Sequence, residues 1–177
     1  MSKATLIIGF KFNNITALQN HLIAKYYTEK NLTKALPVTD PTTDAAKATY
    51  YAGSIYENWY GWTPTQKYNA YKTARQKADT EYNTARTTIN SYIRKFNTGD
   101  NVIVGVPLVE LNDTSNGYKL IVSKMPNSND SEYGNSVTLN LTDSTVFKQL
   151  VTALKISDKP KFYIMNATSG TNPTINT

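Results

Sequence analysis

With 177 residues, 40% of them hydrophobic and 18% charged, the chain is long enough to close a core as one domain or as one compact unit with an extension. It has no cysteine, which excludes disulfides, thiolate nucleophiles and cysteine-held metals. The net charge of +6 suits an anionic partner but falls well short of an arginine-rich arm, and no run approaches the ~20 apolar residues of a membrane span.

Residues 4–12 alternate as a strand, with Leu6, Ile8, Phe10 and Phe12 on one face. Asn13 or Asn14 stands where it can cap a helix whose apolar stripe runs Ile15, Leu18, Leu22 and Tyr26. Pro37 and Pro41 mark residues 36–43 as a connector. From Asp44 a second helix carries Ala45, Ala48, Ala52, Ile55 and Trp59 at spacings of three and four. Gly53 weakens it and Gly61 ends it.

The third helix has the clearest start. Thr63 caps the first turn, Pro64 suits the first helical position, and Gln66 completes a capping box. The run continues to Asn97 without Gly or Pro, and Gly99 supplies a stop. At ~1.5 Å per residue such a rod is roughly 50 Å long. Its stripe is Tyr68, Tyr71, Ala78, Tyr82, Ala85, Ile89, Tyr92 and Phe96. Joined through residues 60–63, the second and third helices form a long, protruding antiparallel hairpin.

After Gly99 the period changes to two. Residues 101–111 read as a strand that Pro107 bends or pushes to an edge. The polar run 112–117 turns the chain into a hairpin with residues 118–125. Residues 126–135 form a polar loop, and residues 136–141 alternate as a further strand, with Val137, Leu139 and Leu141 facing inward. Thr142 or Asp143 caps a short amphipathic helix with Val146, Phe147, Leu150, Val151 and Leu154. A last strand, Lys161–Asn166, leads to a polar tail, residues 167–177.

The order β-α-(α-α)-β-β-β-α-β gives an α+β fold, a small antiparallel sheet with flanking helices. Residues 1–36 supply a strand and helix to the α+β core, residues 44–98 the helical hairpin, residues 101–166 the sheet with its short helix, and residues 167–177 the tail.

Catalytic chemistry finds little to work with. His21 is the sole histidine and has no motif around it. The 13 acidic residues are scattered, and Asp79 and Glu81, two apart on a helix, do not face each other. Nucleophile elbows, phosphate loops and dinucleotide fingerprints are missing. The expectation is a non-enzyme with no catalytic residue, no cofactor and no metal site.

Tyrosine appears 13 times against 5 Phe and 2 Trp, an excess that suits interfaces. The first reading is therefore a structural or assembly protein, a small viral (phage-type) virion component acting through contacts with identical or different subunits. Trp59, Tyr60 and Trp62 at the hairpin tip, with Tyr68 and Tyr71 on the long helix, are its interface residues. The alternative is a single-stranded nucleic-acid binder using a basic, tyrosine-bearing sheet face with Tyr118, Lys119 and Lys124. With no signal-peptide core at the N-terminus, the expected place is a virion or the cytoplasm, with no membrane partner.

Overall fold

Ile7 and Ile8 are neighbours, point to opposite faces of a strand, and are each 1% exposed. Their strand is therefore covered on both sides. The computed structural model describes residues 3–96, 99–114, 117–120, 145–166 and 172–176. Within them, β1 (Lys3–Phe12) pairs antiparallel with β3 (Val102–Thr114) on one side and with β5 (Lys161–Asn166) on the other. β2 (Ile93–Lys95) and β4 (Gly117–Leu120) both pair with β3, at its two ends, along the edge that β1 does not use. The result is a five-stranded antiparallel sheet in a chain that also carries helices, the α+β class read from the sequence.

One face of the sheet carries Ile8 and Phe10, with Phe10 stacked on Phe147 of α4 (Thr145–Leu154) at 6.2 Å between ring centroids. The other face buries Ile7, Ile103 and Met165, closed by Phe96 and Tyr163. The sequence pattern anticipates the first face, where Ile8 and Phe10 are buried and Leu6 and Phe12 half-buried. The second face is a correction, because period-two alternation cannot register a strand that is apolar on both sides.

Gly9 and Gly105 sit opposite each other in the β1–β3 ladder. A Cβ on Gly9 would lie 2.1 Å from the Val104 carbonyl oxygen, and one on Gly105 would lie 2.4 Å from that of Ile8. Only a residue without a side chain lets these strands approach so closely. Just beyond, the register slips: Leu6 faces Val109 while Ile7 faces Pro107, leaving Leu108 as the extra residue of a bulge. Pro107 is thus tolerated at a bulge, without a central ladder hydrogen bond.

The helices also differ from the periodic reading. Asn14 caps α1 (Ile15–Ile23), its side chain accepting the Ala17 N–H at 2.7 Å. The helix then widens into a π-turn (Ala24–Thr28), where Glu29 N–H donates to the Ala24 carbonyl and Leu32 N–H to that of Tyr27. The extra residue per turn brings the adjacent Tyr26 and Tyr27 inward together, and both are buried against Tyr82. α2 (Asp44–Tyr51) is capped by Thr43 and stops at Ala52, ahead of a 3₁₀ turn (Ile55–Asn58). The second arm of the expected hairpin is therefore short.

α3 (Pro64–Asn90) is the long helix, 27 residues, ~40 Å at 1.5 Å per residue. The capping box forms as read: Thr63 Oγ1 accepts from Gln66 N–H at 3.2 Å, and Gln66 Oε1 accepts from Thr63 N–H at 2.9 Å. Its end is a correction. The helix stops at Asn90, after the β-branched run Thr87-Thr88-Ile89, and Ile93 goes into the sheet opposite Val104. Ile93 is fully buried there, and Gly99 lies in the turn between β2 and β3.

The chain forms two compact units, residues 18–87 and residues 1–17 with 88–177. These differ from the segments read in sequence. Residues 18–36 belong with the helices because Tyr26, Tyr27 and Leu32 engage α3, and residues 88–90 belong with the sheet that follows them. The tail is not wholly solvated either. Ile175 is 3% exposed, and its N–H donates to Asn90 Oδ1 at 2.8 Å. The strand expected at 136–141, the polar loop before it and the helix cap at 142–143 lie outside the described residues.

Candidate functional site

The unit of residues 18–87 presents an aromatic groove, and local backbone chemistry builds it. Ser54 closes the end of α2, donating its hydroxyl proton to the Tyr51 carbonyl at 2.6 Å and accepting from Tyr56 N–H at 3.2 Å. This starts the 3₁₀ turn that presents Tyr56. Gly61, at φ +77°, reverses the chain, and Trp62 N–H donates to the Trp59 carbonyl at 3.3 Å. Lys67 holds the turn to α3 by donating to the Glu57 carbonyl at 2.7 Å.

Three rings gather as a result. Tyr56 meets Trp59 edge-to-face at 4.7 Å, and Trp59 meets Trp62 the same way at 4.4 Å. Together with Ile55 they form one end of a groove of about 910 Å³. Its floor is a face of α3 bearing Ala70, Ala74 and Ala78, with Gln66, Asn69 and Thr73 at the margin. Lys30, Leu32 and Lys77 form the other end. Trp62 is 43% exposed and Ile55 58% exposed, costly positions for large apolar groups that have no partner to cover them.

The adjoining face of α3 does structural work. Its side chains hold the irregular segment 32–40 in successive rungs. Arg75 donates to the Leu32 carbonyl at 2.8 Å while stacking on Tyr27. The Tyr71 hydroxyl donates to the Lys34 carbonyl at 2.7 Å and accepts the Lys34 N–H at 2.9 Å. Asp40 accepts from Tyr68 at 2.8 Å and from Lys72 at 2.6 Å. Tyr27 donates to Asp79 at 2.7 Å.

These contacts shift the acid–base chemistry of the rungs. Burial first, and the hydrogen bond to Asp40 second, push the Tyr68 phenol up to about 12. Burial and the Asp79 contact likewise hold Tyr27 well above the ordinary tyrosine range. The Lys72 and Tyr68 hydrogen bonds keep the Asp40 carboxyl below its usual value.

The residues read from the sequence therefore separate. Trp59 and Trp62 line the groove, while Tyr60, at 101% exposed, stands beside them in solvent. Tyr68 and Tyr71 are 2% and 0% exposed, so their expected interface role is corrected to a place inside their own unit. Tyr118 and Lys119 lie on β4, paired with Asp113 and Asn112, and Lys124 lies outside the described residues. Of the basic side chains of α3, Lys67, Lys72 and Arg75 are bonded within the unit. Lys77 has no hydrogen-bond or ion-pair partner among the described residues, and it lines the groove.

Sequence reasoning overlooked Lys30, Leu32, Ala70 and Ala74. A signal existed for two of them, since Ala70, Ala74 and Ala78 repeat every four residues along one helix face. Lys30 and Leu32 arrive only through the π-turn, which leaves no periodic mark. Among the described residues no three of His, Asp and Glu gather to hold a metal ion, and no helix is long and apolar enough to cross a membrane. Comparison with protein-family models, curated proteins and solved structures gives no match.

Proposed function

We propose that this chain is a non-catalytic binding protein that engages a partner protein through the groove of residues 18–87, the kind of contact an assembly subunit makes. The observation that carries this reading is the edge-to-face cluster of half-buried Tyr56 and Trp59 with exposed Trp62 at the end of an open groove of about 910 Å³. Rigid aromatic anchors set in a concave surface supply much of the energy in protein interfaces. The alternative, a single-stranded nucleic-acid binder using the sheet face of Tyr118, Lys119 and Lys124, has no observation in its favour among the described residues.

The test is selection from a displayed library of random peptides against the wild-type protein, followed by measurement of each recovered peptide's affinity for the wild type and for Trp62→Ala. Recovered peptides should bind the wild type and lose at least tenfold in affinity to the variant. A library that yields no binders, or binders indifferent to Trp62, sinks the proposal.

A further inference from the structure

Resting on that reading, we infer that the groove takes an acidic amphipathic helix, its apolar side chains against Trp59 and Trp62 and its carboxylates towards Lys30 and Lys77.

Shape argues for a helix. The floor from Gln66 to Ala78 is ~18 Å long at 1.5 Å per residue, about three helical turns. Ala70, Ala74 and Ala78 remove bulk along that line and let another backbone approach α3 closely. An extended peptide gains its affinity from the open edge of a sheet, through main-chain hydrogen bonds. The backbone groups of this floor are already bonded within α3 and offer no such edge, which suits a guest that satisfies its own backbone, as a helix does.

Charge argues for acidity. Among the described residues no Asp or Glu lines the groove, whereas two lysines do. Lys77 is without a partner among the described residues. Lys30 makes a solvent-exposed bridge to Glu81 at 3.3 Å, weak enough to be exchanged for a guest carboxylate. The apolar and cationic ends are separated along the groove, so a guest must carry both features in the matching order.

Trp59 and Trp62 are the two tryptophans of the chain, and both line the groove, so intrinsic tryptophan emission reports its occupation. The probe is a capped, tryptophan-free helical peptide of about 15 residues, four turns. It carries leucines along one face and glutamates towards one end. A second peptide has lysine in place of each glutamate, and an oligothymidylate of similar length is the third probe.

The glutamate peptide should give a saturable emission change, with the lysine peptide at least tenfold weaker. Lys77→Glu should reverse that preference, and Lys77→Gln should reduce it without reversing it. Circular dichroism checks that both variants keep their helices. Equal affinity for the two peptides, or a preference that Lys77→Glu leaves unmoved, overturns the acidic assignment yet leaves the groove as a protein-binding site. No response to either peptide overturns this inference, while the library selection still decides the broader reading. A response to the oligonucleotide alone overturns both.

Discussion

Single side chains in this protein do unlike jobs although they look alike in sequence. Tyr68 and Tyr71 stand at the same helical spacing as other aromatic residues, yet each closes a rung to the segment at 34–40. Tyr71→Phe strips the Lys34 N–H and carbonyl of their partner. It should cost about 1–3 kcal/mol in urea unfolding, the typical penalty for stranded polar groups. The Tyr68 phenol stays protonated in the fold to about pH 12, whereas in the unfolded chain it ionises near 10.0. The unfolded chain therefore sheds its proton first as pH rises. The contribution of this group is complete below pH 10.0 and disappears between there and about 12. Denaturant midpoints should fall across that window, and tyrosinate absorbance should report a set of phenols that ionise only as the protein opens. Tyr68→Phe should flatten the fall.

Elements follow local rules where those rules have no long-range competitor. The start of α3 is legible because a capping box is a contact within four residues. Thr63→Ala should remove about 0.5–2 kcal/mol, measured by thermal or chemical unfolding. Its end is not legible, because helix period continues through Tyr92 and Phe96 while strand pairing with Val104 wins at Ile93. α2 shows the same limit in reverse: Ile55 and Trp59 keep helical spacing with Ala52, but Gly53 and Ser54 divert the chain into a 3₁₀ turn. The β1–β3 pair depends on a feature with no periodic signature, two glycines facing each other across the ladder. Gly105→Ala sets a methyl group against the Ile8 carbonyl, which cannot move without breaking the sheet. The loss should reach or exceed the upper end of the about 1–3 kcal/mol typical of overpacking. A stability unchanged within error would show that the strands separate more easily than this geometry allows.

On the scale of the molecule, the α+β class was readable because its sheet and helices carry different hydrophobic periods, 2 and 3.6. The candidate site was readable in part. Trp59 and Trp62 identify themselves as large rings beside a turn, but the far wall of the groove is contributed by Lys30 and Leu32, more than twenty residues earlier. Nothing in local pattern announces such an encounter. The tyrosine-bearing α3 divides into one face that holds its own unit together and another left open. That open face is the proposed surface for a protein partner. Its most direct test is the affinity of one selected peptide for the wild type, for Trp62→Ala, which removes an anchor, and for Ala74→Trp, which fills the floor. We expect both variants to keep the wild-type circular dichroism spectrum and to bind at least tenfold more weakly. Undiminished binding to both would contradict the claim.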